Sequence, residues 1–215
     1  MTPTSVDRVV AVVPVRSLSG AKSRLGEPLD AEERADLVLA LLRQTVAAAL
    51  AASRLSGVVV VSKDPYLLRE VRAMGAASVL QRTDGLNEGL TEARLAFGAE
   101  ATAVMVLPAD LPGVSASAID DLVDAGSAAL RGQPDRPVVA LVPDRHGRGT
   151  NALLLAPPGA IPFSFGEGSR AAHASAALAA GASYVELDGP LTFDVDTPED
   201  LLEADLRGLD HELGR

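Results

Sequence analysis

A loop near the N-terminus has the composition of a polyphosphate-binding segment. Residues 16–25, RSLSGAKSRL, interleave three cations with small residues, in a chain that has 29 acidic and only 19 Lys and Arg side chains. Small residues let backbone N–H groups approach phosphate oxygens, and Lys22 and Arg24 would supply positive charge. The P-loop pattern GxxxxGK[ST] is absent, so this would be a different kind of phosphate site. A solvated surface loop with ordinary cations is the alternative interpretation.

Three aspartates could hold a divalent cation. Asp110 stands in PADLPG (108–113), directly after an apolar run, whereas Asp194 and Asp196 stand in FDVDTP (193–198). Alternation along an extended chain would put Asp194 and Asp196 on one face. Carboxylate oxygens are ligands that Mg²⁺ prefers. We therefore predict a Mg²⁺ site at Asp110, Asp194 and Asp196. The alternative is that Asp196 or its neighbours only cap the last helix.

Hydroxyl and amide side chains form a second group of candidates. Asn87, in GLNEGL, opens a predicted helix, where a carboxamide could read a base or simply cap the helix. Thr150 enters a predicted strand in RGTN (148–151). Gly166 and Ser169, in FGEGS (165–169), lead into another helix, whose backbone amides and hydroxyl could bind a small anion. His173 lies one turn beyond Ser169, and we expect a packed or capping histidine unless this segment is a site.

The secondary structure that would carry these residues can be predicted from the apolar pattern. Short β-branched runs alternate with helical patterns, and the runs are apolar at successive positions, as in parallel strands buried on both faces. We predict one Rossmann-like α/β domain over residues 1–215, with a core at about 9–206, a mostly parallel sheet and helices on both faces. In such a sheet, ligands bind beyond the carboxyl ends of the strands. The predicted strands are 9–15, 58–61, 79–80, 103–107, 138–142, 152–155, 184–187 and 193–195, and the predicted helices are 30–52, 65–74, 87–97, one from Ser115, 169–180 and one after Thr197.

Composition excludes several classes of protein. A formal net charge of −10 argues against a general nucleic-acid binder, which needs clustered Lys and Arg. The chain has no cysteine, so it has no disulfide, thiol nucleophile or Cys-ligated metal. A hydrophobic fraction of 47% suffices for a buried core. The N-terminal sequence lacks a signal-peptide pattern, and no apolar stretch is long enough to span a membrane. We therefore expect a cytoplasmic protein without membrane or nucleic-acid partners.

Seven segments, taken in order, resemble one known family. The sequence is similar to the guanylyltransferases of coenzyme F420 biosynthesis (the CofC/FbiD family), within the nucleotide-diphospho-sugar-transferase-like superfamily, from about residue 9 to residue 206. LPADLP and FDVDTPEDL are common in that superfamily, whereas AKSRL, GRGTNALLL and FGEGS followed by His173 are narrower. The segments are VPVRSLSGAKSRL, VVSKDP, GLNEGL, LPADLP, RHGRGTNALLL, FGEGSRAAH and FDVDTPEDL.

The resemblance implies a reaction and a role for each candidate residue. GMP would pass from GTP to a phosphorylated three-carbon acid, with release of pyrophosphate, and the product would go to a downstream F420 ligase-type transferase. The acceptor phosphate is already ionised at neutral pH, so no general base is required. The implied roles are Lys22 and Arg24 at the triphosphate, Asn87 near the guanosine, Asp110 and Asp196 with Asp194 at Mg²⁺, and Thr150, Gly166 and Ser169 at the acid.

Two other functions compete with this interpretation. A molybdenum-cofactor-type nucleotidyltransferase would share the fold, but its usual glycine-rich first loop is missing here. A non-catalytic nucleotide-binding module would not need both Asp110 and Asp196. The acceptor could be phosphoenolpyruvate or 2-phospho-L-lactate, which differ only at C2 and C3. The Ala, Gly and Arg richness is typical of an actinobacterial source and favours phosphoenolpyruvate by association.

Overall fold

A seven-stranded mixed sheet forms the centre of the chain. The structure, a computed structural model, describes residues 5–16, 29–97 and 101–206. The strands are β1 (Val9–Pro14), β2 (Leu55–Ser62), β3 (Ala77–Leu80), β4 (Ala103–Val106), β5 (Val138–Pro143), β6 (Thr150–Ala156) and β7 (Ser183–Glu186). The helices are α1 (Ala31–Ala51), α2 (Pro65–Ala73), α3 (Leu86–Phe97), α4 (Ala116–Gly132), α5 (Ser169–Ala179) and α6 (Pro198–Leu206).

One strand of the sheet runs against all the others. The strand order is β3-β2-β1-β4-β6-β5-β7, and β6 is antiparallel to both of its neighbours, β4 and β5. All other neighbouring strands are parallel. The carboxyl ends of six strands and the amino end of β6 therefore lie at the same edge of the sheet, which we call the carboxyl edge.

Helices cover both faces of the sheet, as the sequence predicts. One apolar cluster joins the sheet to α1, α2 and α4 through residues such as Leu42, Leu67 and Ile119. A second cluster lies on the opposite face and includes Leu90 of α3 and Ala177 of α5. Every residue of β4 and β6 is buried, which explains their apolar runs. The predicted α/β fold with a mostly parallel sheet is confirmed.

The helices begin at capping residues. Asp30 caps α1: its carboxylate accepts hydrogen bonds from the amides of Glu32 and Glu33, while the Glu33 side chain accepts one from the Asp30 amide. Asp64 and Ser115 cap α2 and α4 through side-chain oxygens that likewise accept from helix amides. These side chains satisfy amides that a helix leaves without an internal partner. Among the described helices, none is long and apolar enough to cross a membrane.

The prediction of a strand over residues 193–195 is wrong. Pro190–Thr192 form a short 3₁₀ helix, and the chain then crosses the carboxyl edge in an extended conformation without joining the sheet. The alternation on which the prediction rested is nevertheless present, because Phe193 and Val195 are buried while Asp194 and Asp196 are only partly buried. The two apolar side chains pack in a small separate cluster with Ala204 of α6.

Replacing Asp30 with Ala tests the capping box of α1. The variant loses the acceptor for two helix amides, so we expect the free energy of unfolding to fall by about 1 kcal/mol. Asp36→Ala, at an exposed position of the same helix, is the matched control and should change it by less than about 0.5 kcal/mol. Urea denaturation measures both values. Equal losses in the two variants would contradict the assigned cap.

Candidate active site at the carboxyl edge

The three candidate metal ligands come from two segments that are hydrogen-bonded to each other. Asp110 lies in the loop after β4, and its backbone carbonyl accepts a hydrogen bond from the Val195 amide, with 3.0 Å between N and O. Asp194 and Asp196 flank Val195 in the chain. The structure therefore brings the loop after β4 and the segment before α6 together at the carboxyl edge. We call Asp110, Asp194 and Asp196 the carboxylate cluster.

Asp200, which the sequence pattern did not single out, fixes the backbone at Asp196. Its carboxylate is buried and accepts hydrogen bonds from the amides of Asp196 (2.8 Å) and Thr197 (2.7 Å). It also pairs with Arg145, whose guanidinium lies 5.0 Å from the centre of the Phe193 ring. Burial alone would raise the pKa of Asp200, but the two amides and Arg145 outweigh it and the pKa is lowered. Asp200 is therefore held as an anion.

The capping of α6 is assigned to Thr197 and Asp200. The Thr197 hydroxyl accepts a hydrogen bond from the Asp200 amide at 3.4 Å, and the Asp200 carboxylate accepts one from the Thr197 amide. This reciprocal pattern is a capping box with an aspartate in the usual glutamate position. A neighbour of Asp196 therefore caps the last helix, and Asp196 itself is not needed for capping.

The carboxylate cluster has the donor chemistry that Mg²⁺ prefers. Within the described ranges, no group of three or more His, Asp or Glu side chains is arranged so that it could hold a metal ion by itself. Mg²⁺ rarely uses such an all-protein cage, because it keeps waters and is usually bound by one or two carboxylates together with substrate phosphates. The residues at this edge therefore offer the ligand chemistry of a magnesium ion that would be bound together with substrate phosphates.

A second cluster consists of Thr150, Ser169 and His173, which we call the hydroxyl cluster. The Ser169 hydroxyl donates to the Thr150 hydroxyl oxygen at 3.1 Å, and His173 Nδ1 lies 3.1 Å from the same oxygen. On the other side of the ring, His173 Nε2 accepts a hydrogen bond from the Ser164 amide at 3.1 Å. All three side chains of the cluster are at least nine-tenths buried. Thr150 and Ser169, which the sequence predicts as site residues, are thus in contact with each other, and His173 contacts Thr150.

A β-bulge at the start of β6 joins the two clusters. Val142 pairs with Ala152 and Pro143 pairs with Thr150, so Asn151 is an extra residue in β6. The bulge interrupts the alternation of side chains, and the Asn151 amide group donates to Asp194 Oδ1 at 3.3 Å while its neighbour Thr150 belongs to the hydroxyl cluster. The sequence predicted Thr150 but not Asn151, because neighbouring side chains of a regular strand point to opposite faces and nothing local predicts the bulge.

Asn87 holds the loop that carries Gly166. Its side-chain oxygen accepts from the Phe165 amide at 2.8 Å, and its side-chain nitrogen donates to the Phe165 carbonyl at 3.1 Å. The carboxamide therefore binds a backbone segment 78 residues away instead of capping α3. Gly166 is next in the loop and has φ of +128°, a conformation that favours glycine, and no atom lies within 4 Å of the position of an added Cβ.

The other predicted phosphate-binding groups lie in the first loop and at the amino end of α5. Lys22 and Arg24 lie outside the described residues. At the amino end of α5, the Ser169 amide donates to the Gly166 carbonyl and the Arg170 amide donates to the Arg148 carbonyl. Two of the amides that could have formed an anion site at this helix end are therefore engaged with backbone oxygens.

The burial of His173 predicts how the free energy of unfolding depends on pH. Burial lowers the pKa of His173 from 6.5 to about 4. Below pH 6.5 the unfolded chain therefore takes up a proton that the folded chain refuses until about pH 4, so stability falls as the pH decreases through this window. The contribution lost by pH 4 is on the order of 3 kcal/mol. Urea denaturation at several pH values should show a shallower pH dependence in His173→Asn, and an unchanged slope would refute the burial of a neutral histidine.

Asp200→Asn tests the carboxylate that accepts the hydrogen bond from the Asp196 amide. An amide at this position would place N–H groups against Arg145 and remove the buried anion that pairs with this guanidinium, which is 26% exposed, so we expect a loss of about 2 kcal/mol in the free energy of unfolding. Glu203→Gln is the matched control, since Glu203 pairs with the same arginine at 2.9 Å but is 42% exposed. It should lose less than about 1 kcal/mol. Similar losses in both variants would contradict the role given to Asp200.

Solved structures share the fold at low sequence identity. The structure of CMP:2-keto-3-deoxy-manno-octonic acid synthetase complexed with CTP matches with a TM-score of 0.62 and 19% identity, over 95% of this chain and 99% of that one. At this identity the likeness concerns the fold alone. It agrees with the α/β architecture described above, a single mostly parallel sheet of seven strands.

The sequence matches one protein family along nearly its full length. The family described as "Guanylyl transferase CofC like" matches residues 9–213. The chain is 45% identical over 202 residues to a phosphoenolpyruvate guanylyltransferase of Rubrobacter xylanophilus, with 93% of this chain and 95% of the relative covered. A phosphoenolpyruvate guanylyltransferase of Sphaerobacter thermophilus is 46% identical over 196 residues, with 90% and 91% covered. The family predicted from the sequence motifs is confirmed: the chain belongs to the CofC-like guanylyl transferases.

Proposed function

We propose that this chain, a phosphoenolpyruvate guanylyltransferase of coenzyme F420 biosynthesis by its family and its similarity to those relatives, assembles its two substrates across the carboxyl edge. GTP binds with its phosphates at the carboxylate cluster, and phosphoenolpyruvate binds at the hydroxyl cluster. The observation that carries the proposal is the bulge at Thr150 and Asn151, because consecutive residues there contact the two clusters. Substrates bound at the two clusters would be neighbours.

Phosphoenolpyruvate needs hydrogen-bond donors and space, since it carries a phosphate and a carboxylate. The Thr150 hydroxyl supplies a donor, and Ser169 holds that hydroxyl in place. Gly166 leaves the space beside its Cα open, because it has no side chain and no atom lies within 4 Å of where one would begin. Thr150, Gly166 and Ser169 are therefore the proposed acceptor-binding residues.

The chemical step is a substitution at the α-phosphorus of GTP. An oxygen of the acceptor phosphate forms the new bond to this phosphorus, and the bond from the α-phosphorus to the oxygen that bridges to the β-phosphate breaks, so that pyrophosphate leaves. The attacking oxygen is anionic at neutral pH and needs no base. His173 is unsuited to that role, since it is buried and both of its ring nitrogens have partners. Positioning and charge neutralisation then supply most of the acceleration.

Charge neutralisation is divided between cations of the chain and a metal. Lys22 and Arg24 are proposed to bind the triphosphate and to stabilise the leaving pyrophosphate. Asp110 and Asp196, with Asp194, are proposed to hold Mg²⁺, which when bound offsets the negative charge of the reacting phosphates. Asn87 is proposed to lie near the guanosine, and its contacts to Phe165 support an additional role in positioning the loop before α5, which we call the acceptor loop (residues 163–168).

The chemistry of the product and of the substrates indicates a downstream partner and a cellular compartment. A mixed diphosphate of GMP and phosphoenolpyruvate is a reactive phosphoanhydride, so rapid consumption by a downstream transferase of the F420 ligase type is part of the proposal. GTP and phosphoenolpyruvate are metabolites of the cytoplasm, and we place the enzyme there.

Pyrophosphate release tests the reaction. With Mg²⁺ present, the chain should release pyrophosphate only when GTP and phosphoenolpyruvate are both supplied. Substituting CTP or ATP for GTP tests which nucleobase the enzyme accepts. Substituting 2-phospho-L-lactate for phosphoenolpyruvate tests which acid it accepts. Release from GTP without an acid, or faster release with 2-phospho-L-lactate than with phosphoenolpyruvate, would contradict the proposal.

Asp110→Asn and Asp196→Asn test the carboxylate cluster. Each removes an anion from the proposed Mg²⁺ site, so we expect kcat to fall by at least about 10²-fold while the thermal midpoint stays near that of the parent. Asp135→Asn is the control: Asp135 is exposed and precedes β5, at the opposite edge of the sheet. It should keep the parental rate. A parental rate in Asp110→Asn or Asp196→Asn would refute the metal assignment.

A further inference from the structure

The imidazole of His173 is held from both sides by groups whose hydrogen-bonding roles can be assigned. The side chain is fully buried on α5. Its Nε2 lies 3.1 Å from the backbone nitrogen of Ser164, and its Nδ1 lies 3.1 Å from the hydroxyl oxygen of Thr150. The ring also meets Phe165 edge to face, with 5.1 Å between ring centres. His173 therefore touches both the start of β6 and the acceptor loop.

The Ser164 contact decides which ring nitrogen carries the proton. A backbone N–H can only donate, so Nε2 must be the acceptor and cannot itself be protonated. A neutral imidazole then carries its hydrogen on Nδ1, which donates it to the Thr150 hydroxyl. The contacts of the ring with β6 and the acceptor loop, at Thr150, Ser164 and Phe165, are all made with uncharged groups.

The direction of the Thr150 hydroxyl is set by this tautomer. A hydroxyl has two acceptor positions and one hydrogen to donate. The Thr150 oxygen accepts from His173 and from Ser169, so both acceptor positions are filled. Its own hydrogen must then be donated to another group. An anionic substrate oxygen is the partner best suited to receive it.

We propose that His173 is a positioning residue for acceptor binding: it fixes Thr150 as a hydrogen-bond donor toward an anionic oxygen of the acceptor and anchors the acceptor loop at Ser164. This inference rests on the proposed function. Burial keeps the ring neutral over the physiological pH range, since the pKa of His173 is lowered to about 4. His173 therefore donates to the Thr150 hydroxyl at any pH in the physiological range.

The kinetic test separates binding of the two substrates. His173→Leu removes the donor to Thr150, so KM for phosphoenolpyruvate should rise about tenfold, the value of one hydrogen bond to an anion, while KM for GTP changes less than about twofold. His173→Asn places an amide N–H near the position of Nδ1 and should recover most of the loss. Equal changes in both KM values, or no rescue by Asn, would overturn the inference.

A double-mutant cycle tests whether His173 acts through Thr150. Thr150→Val keeps the shape of the side chain and removes the hydroxyl, and it should raise KM for phosphoenolpyruvate by itself. Adding His173→Leu to Thr150→Val should cause little further increase, because the group that His173 orients is already gone. Independent, multiplicative effects would show that His173 supports the site in another way and would overturn the inference.

The tautomer can be measured without any turnover. In ¹⁵N-labelled parental protein, the His173 ring should show a protonated Nδ1 and an unprotonated Nε2 at pH 7, identified by the signals lost in His173→Asn. A protonated Nε2, or a charged ring at pH 7, would overturn the inference even if the enzyme is active. If phosphoenolpyruvate does not support pyrophosphate release by the parental protein, the proposed function fails, and this spectrum still decides the hydrogen-bond direction. It also decides the case in which His173→Leu does not fold.

Discussion

The site depends on one constraint of the sheet, the reversed direction of β6 between β4 and β5. In an all-parallel sheet, only carboxyl ends of strands would meet at the ligand-binding edge. Reversal of β6 brings the start of a strand there as well, so Thr150 and Asn151 join the loop after β4 and the segment before α6. At the bulge, Thr150 belongs to the hydroxyl cluster and the next residue, Asn151, contacts the carboxylate cluster. Packing of β6, which is buried along its whole length, thereby fixes the spacing of the two clusters.

Hydrogen bonds from a few polar side chains then fix the backbone around each cluster. Asp200, which pairs with Arg145, accepts a hydrogen bond from the Asp196 amide. In the acceptor loop, His173 and Asn87 accept hydrogen bonds from the amides of Ser164 and Phe165. Asp200, Asn87 and His173 each bind backbone groups, so their contribution is geometric. A net charge of −10 does not exclude a triphosphate ligand, because the proposed site needs only a few cations at the phosphates and not a basic protein surface.

The fold and the family could be predicted from the sequence, but only part of the arrangement of the site could. Apolar runs predicted most elements, and a helix was correctly predicted to start from Ser115, because local chemistry decides these features. The motif order predicted the family correctly. The supporting contacts could not be foreseen, because they join distant segments: Asn87 meets Phe165 across 78 residues, and Arg145 meets Asp200 across 55. Asn151 was missed because nothing local predicts the bulge at this residue or its contact with Asp194, 43 residues away. The roles of the site residues stay proposals, and Lys22 and Arg24 lie outside the described residues.

The most direct test of this two-cluster site is a crystal structure of the protein with Mg²⁺, phosphoenolpyruvate and a GTP analogue whose α,β-bridging oxygen is a methylene group. We expect an anionic oxygen of phosphoenolpyruvate within hydrogen-bonding distance of the Thr150 hydroxyl, and the α-phosphate and metal beside Asp110 and Asp196. Phosphoenolpyruvate bound away from Thr150, or a triphosphate bound away from the carboxylate cluster, would contradict the proposed assembly of the substrates.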